Sequence, residues 1–505
     1  MRGFGERLMN KDCRATVLLL IAVLMGVTVM VVSCRPKTDE PGAGSEAAVS
    51  EPVAKIGDYT ITKDELKERL AQEIRPQREE SGLPRSPVTP EIVLRKMVAE
   101  KAMMLEGRKL GHLDEEMLGA SIERFRQSRL IGLFITDYVQ ENISVTAPEI
   151  DQTLEADPNL TRAQAEMKIR STQAKPVLEQ FYGELLKKFK VEKVEENFSK
   201  AIRIHQRLAT RPVEPRRRGM FWITNKQIRN ELSEEEKQIP LAKFVGGEFT
   251  LFEWFKTLSE MAPPGRPKNL NRPEGIEGLL DRGLRPVVLA AEAVDQGYDK
   301  NEQFLADLRK REDMTLLNKA KSDKYKQIEQ PSDEEVRAFF DEHQAHFAKS
   351  ASLKVELVWC KDLQAAQKVK DAMVGGASAA SLNETYGLRK NLKPYNVYPT
   401  SEGLFWDDLW KAEPSTIVGP VKGFYETGVK WRVVKVLEKT PAAPQSYNTD
   451  NVKNQVKSAL MTGRRDEIMA RYGAELLKKY RHEIYTDKIQ DIDPLEIMPP
   501  DEKGQ

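Results

Sequence analysis

Cysteine is nearly missing from this 505-residue chain: three residues, Cys13, Cys34 and Cys360. Cys13 falls in an N-terminal leader and Cys34 at the lipid-attachment position just after it, so the body has one thiol and is expected to fold without an internal disulfide. Cys360 is expected to be a buried strand residue, since no histidine lies near it in sequence to activate it. Net charge of one sign is also lacking, with 79 Lys+Arg against 78 Asp+Glu. That balance excludes the net basic footprint of a nucleic-acid binder. Aromatics are only 7% while charged residues are 31%, a mixture suited to long, surface-rich helices rather than one large core. No phosphate-binding Walker loop, Gly-x-Ser-x-Gly elbow or dinucleotide fingerprint occurs, and no cofactor is implied. His343 and His346 sit near one helix face, but no further ligands accompany them, so no metal is expected.

Long apolar runs are absent apart from Ala15–Val32, which follows Arg2, Arg7, Lys11 and Arg14 and ends in Val31-Val32-Ser33-Cys34. Basic residues, an apolar stretch and small residues before a cut make a secretory signal over 1–33. Cys34 at its end resembles a bacterial lipobox, whose cysteine thioether carries diacylglycerol and anchors the chain without spanning the bilayer. The alternative is an uncleaved anchor, for which the run is just long enough. Either places the body outside the cytoplasm. Arg35, rather than Asp, follows Cys34, which favours the outer membrane in a two-membrane cell. Residues 34–52, rich in Pro, Gly, Ser and Glu, cannot bury apolar surface and read as a flexible tether.

The body reads as a duplication. AKIGDYTITKDELKERL from Ala54 matches AKFVGGEFTLFEWFKTL from Ala242 in plan: a glycine turn between short strands, then Thr62-x-x-Glu65 or Thr250-x-x-Glu253 opening a helix. This spacing is a capping box, in which the Thr hydroxyl and Glu carboxylate satisfy amides that the first helical turn leaves free. Helix stops follow at Gly111 and Gly297. At equal spacing beyond them come Thr146-x-x-Glu149 and Ser332-x-x-Glu335. Both copies close on similar helices, Tyr182–Phe189 and Tyr472–Tyr480. Equal spacing of equivalent landmarks marks a repeat. Apolar stripes at helical period, Val336/Phe339/Phe340/His343/Phe347 and Val452/Val456/Leu460, read as core.

The second copy is interrupted. Over 350–440 the pattern changes to a strand (Leu353–Trp359), two helices (Leu363–Met373 and Ser378–Tyr386), a Gly419-Pro420-Val421 turn and a closing strand (Lys430–Leu437), a small α+β fold. Phe405-Trp406, Trp410, Pro414, the Gly-Pro-Val turn and the strand Trp431–Val436 resemble the end of a parvulin (rotamase) domain. With the flanking helical segments, Pro52 to Ile489 resembles the SurA/PrsA group of export chaperones of the parvulin peptidyl-prolyl isomerase family. The resemblance implies a mainly α protein: a duplicated SurA-N-like helical chaperone unit with an inserted parvulin-like domain. The expected boundaries are 53–210 for the first helical unit and 211–240 for a linker. The second helical unit spans 241–349, the inserted domain 350–440, its completing C-terminal helix 441–490, and a disordered tail 491–505.

The resemblance also implies two histidines on adjacent central strands of an active domain. Here those positions are Glu356 and Arg432, and the Cys/Asp position falls near Leu388–Arg389. Of the apolar pocket, Phe405 matches, while the usual Met position is Ser401. Glu356 and Arg432 are expected either to meet as a charge pair or to face solvent. The implied function is a lipid-anchored chaperone that binds unfolded or nascent exported polypeptides, its domain having lost the residues of catalysis. Candidate client-binding residues are Phe221, Trp222, Phe252, Trp254, Phe255, Phe405 and Trp406, with Met220 beside them. An active prolyl isomerase with a divergent site and a structural envelope scaffold remain the alternatives.

Overall fold

A computed structural model describes residues 50–75, 88–210, 222–390, 392–426 and 428–496. The signal, most of the tether, the lipidation candidate Cys34, and Met220 and Phe221 lie outside the described residues. Among the described residues no helix is long and apolar enough to cross a membrane.

The chain is mainly helical. A hairpin of β1 (Pro52–Ile56) and β2 (Tyr59–Thr62) leads to helices Lys63–Glu73 and Pro90–Lys109, then Glu116–Asn142, Ala147–Ala156 and Arg162–Lys188, and strand β3 (Glu192–Lys193). A second hairpin, β4 (Pro240–Phe244) and β5 (Gly247–Thr250), leads to helices Leu251–Glu260, Pro273–Asp295, Glu302–Tyr325 and Asp333–Glu342. After an inserted sheet module come helix Asp450–Lys479 and β10 (His482–Ile484). The repeated landmarks have the same local geometry. Both hairpins carry a register shift at the same place, Pro52/Ala54 and Pro240/Ala242. Gly111 and Gly297 both stop a helix at positive φ, 69° and 82°, each followed by a single 3-10 turn. All four capping boxes form, at Thr62/Glu65, Thr146/Glu149, Thr250/Glu253 and Ser332/Glu335.

The compact units do not follow the copies. One unit comprises described residues 116–312; the other comprises 50–115 and 313–496. In the latter, β1 pairs with both β2 and β10, so the first copy's hairpin is completed by the second copy's last strand. In the former, β3 of the first copy completes β4–β5 of the second. Each unit is therefore built from half of each copy, in place of the contiguous domains 53–210 and 241–349.

Two further boundaries differ from expectation. Residues 225–231 and 234–237 of the expected linker are helical, because Ile223, Ile228 and Leu232 bury themselves among Leu241, Trp254 and Phe255. In the expected tail, Ile492 is buried in the core around β1 and Leu495 packs on Phe405. The two helical stripes pack on each other, Val336, Phe340 and Phe347 against Val452, Val456 and Ala459.

The inserted module is a four-stranded antiparallel sheet in the order β7–β6–β9–β8, where β6 is Ser352–Cys360, β7 Tyr395–Val397, β8 Ile417–Tyr425 and β9 Gly428–Thr440. The expected Gly-Pro-Val turn is instead part of β8, whose register shifts between Val418 and Val421. Helices Leu363–Val374 and Ala379–Tyr386 cover one face through Val358, Cys360, Val369 and Val433. The other face carries Val355, Leu357, Trp359 and Val434 against Trp406 and Leu409.

The capping carboxylates give a pH dependence of known sign. Backbone hydrogen bonding from Thr146 holds Glu149 below its ordinary value. Glu335 is held low by the Ser332 backbone N–H and then by Arg464. Groups depressed in the folded state contribute stability that is present above their unfolded pKa, about 4.3, and lost as pH falls through the folded value. We expect Glu149→Gln, which keeps an acceptor but no charge, to reduce the loss of thermal stability between pH 5 and 3, measured by circular dichroism.

Candidate functional site

The sheet face opposite the two helices is the place where the family resemblance puts the chemistry. Its central feature is Arg432 on β9, 1% exposed among apolar side chains. An isolated charge there would be prohibitively unfavourable, so it needs a counter-charge and hydrogen bonds. The counter-charge is Glu402, itself 6% exposed, whose carboxylate accepts from Arg432 Nη2. The guanidinium carbon lies 4.9 Å from the centre of the Trp359 ring, a cation–π contact. On its other side is Gly423 of β8, where an added Cβ would come within 2.4 Å of Cζ and Nε. Arg432 Nε is buried with no hydrogen-bond partner among the described residues. An indole, a glycine and a carboxylate thus fix the guanidinium plane.

Glu356 does not join this cluster. In the β6–β9 ladder Glu356 lies opposite Lys435, and Arg432 opposite Trp359. Successive side chains alternate between faces. Arg432 therefore shares the face of Leu357 and Trp359, whereas Glu356 shares the face of Val358 and Cys360. The expected Glu356–Arg432 pair is excluded by parity, and the partner is a residue thirty positions away in sequence. Nothing in spacing marked Glu402 for the role. Its only signal was a lone carboxylate in the otherwise uncharged stretch Tyr395–Trp406.

Aromatic groups continue outward from Arg432. Tyr425 packs on Trp359 with ring centres 5.2 Å apart, and the Arg389 guanidinium lies 5.6 Å from the Tyr425 ring centre. Tyr395 on edge strand β7 borders the same group; burial and then the Glu402 charge raise its phenol pKa. The nearby thiol is on the wrong face: Cys360 is fully buried under the helices, and burial followed by the Asp362 charge pushes its pKa up to about 11. No histidine falls between 347 and 481. Among the described residues no group of three or more His, Cys, Asp or Glu side chains is arranged to hold a metal.

The pocket residue Phe405 is covered from within the chain. It is 7% exposed and meets Phe424 edge-on at 4.9 Å. Ile74, at the end of helix Lys63–Glu73, packs with Phe405 and Val429, joined by Val88 and Leu495. Arg75 donates to the carbonyls of Gly428 at 3.1 Å and Tyr425 at 3.4 Å, and Lys422 pairs with Glu496.

The other client-binding candidates divide sharply. Trp254 and Phe255 are fully buried in one core, where Trp254 Nε1 donates to the Ile276 carbonyl at 3.0 Å. Trp406 is 9% exposed and stacks on Trp410, and Phe252 is half-buried against the core of Trp254. These residues supply core, because their apolar area is worth more against each other than against a transient guest; truncating such an aromatic typically costs about 3–5 kcal/mol. Trp222 alone among the described candidates is exposed, at 38%.

The ion pair makes a stability prediction. Glu402→Gln leaves Arg432 buried without a counter-charge and is expected to destabilise the module by about 3–5 kcal/mol. Replacing both partners, Glu402→Leu with Arg432→Met, is expected to cost less than either single change. Hydrogen exchange of the β9 amides measures both.

Residues 331–453 match the family described as the PPIC-type PPIASE domain. No curated protein matches the chain. Among solved structures, one of two SurA-like chaperones of Campylobacter jejuni is 15% identical, covering 48% of this chain and 98% of its own, with a TM-score of 0.24. The foldase protein PrsA of Streptococcus pneumoniae is 16% identical over 37% of this chain and 72% of its own, TM-score 0.24. PrsA of Bacillus anthracis is 16% identical over 35% and 81%, TM-score 0.20. The sheet module with its flanking helices is thus a PPIC-type parvulin domain, carried within a longer helical chain.

Proposed function

We propose that this chain is an extracytoplasmic folding chaperone that holds unfolded exported polypeptides, and that its parvulin domain binds or braces without isomerising. Rotation about an X–Pro bond is slow because amide resonance must be broken, and speeding it needs an open apolar pocket that strips water from that bond. The observation that carries the reading is the filling of this site by the chain itself. Arg432 is locked to Glu402 and Trp359, and Phe405 lies beneath Ile74 and Leu495. The positions that the family resemblance assigns to paired histidines hold Glu356 and Arg432, on opposite faces of the sheet.

Lipid attachment at Cys34 belongs to the same proposal. It keeps the body at the envelope surface, where exported chains emerge unfolded, with the tether 34–52 giving it reach. The duplicated SurA-N-like helical unit supplies the holding surface, and the exposed Trp222 is its first candidate contact.

The test is suppression of aggregation. The chain lacking residues 1–33 is expected to keep chemically unfolded, unrelated proteins in solution, measured by light scattering at stoichiometric ratios. Protection of one dedicated partner, with none of unrelated clients, favours the scaffold reading and removes this one. Cys34→Ser is expected to move the protein from the membrane to the soluble fraction of the envelope without altering light-scattering protection.

A further inference from the structure

Residues from 205–210 and 222–271 line an open cleft of about 430 Å³. That is within the range of small-ligand pockets, about 300–1,000 Å³. Trp222, Ile223, Leu258, Pro263, Pro267 and Leu270 give it an apolar part, beside the uncharged polar Gln206, Thr210 and Asn271. Among the described residues, its charged lining residues are Arg266 and Lys268, and none that lines it is a carboxylate.

Arg266 is unusual in how it is held. Nε donates to the Met261 carbonyl at 3.0 Å, Nη1 to Ile223 at 3.1 Å and Nη2 to Ser259 at 3.2 Å. These use three of the five N–H groups of a guanidinium and none of its charge. Among the described residues no carboxylate pairs with it, and its partial burial lowers its pKa. Beside it, His205 stands edge-on to Trp254 at 6.2 Å and stacks on Phe255 at 6.4 Å. Its Nδ1 is buried with no hydrogen-bond partner among the described residues. Burial, then the Arg266 charge, lowers its pKa. Structural arginines usually carry their neutralising carboxylate, as Arg207 does with Glu236 in the same unit. Arg266 is oriented by carbonyls, retains spare donors and keeps its positive charge at an apolar cleft.

We infer that this cleft binds the C-terminal residue of an unfolded polypeptide, its apolar side chain against Trp222 and Leu270 and its free carboxylate toward Arg266, Lys268 and His205. Charge complementarity selects the carboxylate, and apolar walls select a large apolar side chain. An internal segment of a polypeptide offers the second without the first. The inference rests on the chaperone reading for the kind of guest, and it adds an end-specific grip to what is otherwise contact without fixed sequence.

The experiment compares two forms of one fluorescein-labelled unstructured decapeptide ending in Phe, with a free carboxylate or a C-terminal amide, by anisotropy against the folded chain. The acid is expected to bind at least about tenfold tighter than the amide, the size of one charge-assisted hydrogen bond. Trp222→Ala, a change at an exposed rim that leaves the fold intact, is expected to weaken the acid by a similar factor. Lys268→Glu is expected to remove the preference for acid over amide. Equal affinity for acid and amide, or acid binding unchanged in both variants, overturns the inference. Light-scattering protection of a client with an amidated C-terminus is scored separately. Its persistence alongside equal affinities overturns this site alone, whereas its absence overturns the chaperone reading.

Discussion

A positive charge buried in a β-sheet constrains everything near it. Arg432 sits where water cannot reach, and Glu402 is the group that makes this tolerable. Placing Glu402 there fixes the short segment that carries it. Pro399 starts a single helical turn, Glu402 ends it, and Gly403, at a φ of +53°, reverses the chain so that Trp406 enters the sheet's apolar face and Phe405 meets Ile74 and Val429. A side chain at position 403 would resist that backbone. The ion pair and this reversal lie next to each other in sequence, with Phe405 three residues beyond Glu402. A pair of this kind adds little net stability over apolar residues of equal size, but losing one member is severe. Its consequence is specificity of arrangement: one rotamer of Arg432, flat between Trp359 and Gly423.

The second constraint is the exchange of strands between copies. The first hairpin is closed by β10 and the second by β3, so each three-stranded sheet joins residues from both repeats. Residues near the two ends of the described chain, Ala54 and Ile484, are register partners. The parvulin insertion lies in the unit that those ends close, and its Phe405 is packed with Ile74 from one end and Leu495 from the other. Folding of that unit thus requires contacts across most of the chain, the non-local kind that forms late.

Local signals were legible in the sequence and global pairings were not. Capping boxes, glycine stops and the strands β6 and β9 follow from residue type at short spacing, and they appear where expected. The exchange of strands was invisible because the two copies share a pattern. A β3-like strand completes either hairpin equally well by local chemistry, and only the path of the chain chooses. Gly419-Pro420-Val421 read as a turn because proline and glycine punctuate; in the structure the register shift lets β8 absorb them at a sheet edge. Arg432 was legible as an intruder at a family position, and Glu402 was not, since a buried partner is chosen by space rather than spacing. Trp254 and Phe255 looked like an adhesive cluster, but the helix Leu251–Glu260 turns its aromatic face inward.

The proposed loss of isomerase activity in this parvulin domain is a claim about rates. The most direct measurement is cis–trans exchange of an Ala-Pro or Phe-Pro peptide, followed by NMR exchange spectroscopy with catalytic amounts of the folded protein. The exchange is expected at the uncatalysed rate, tens to hundreds of seconds per event at 25 °C. An acceleration that rises with protein concentration and disappears in Phe405→Ala would contradict it.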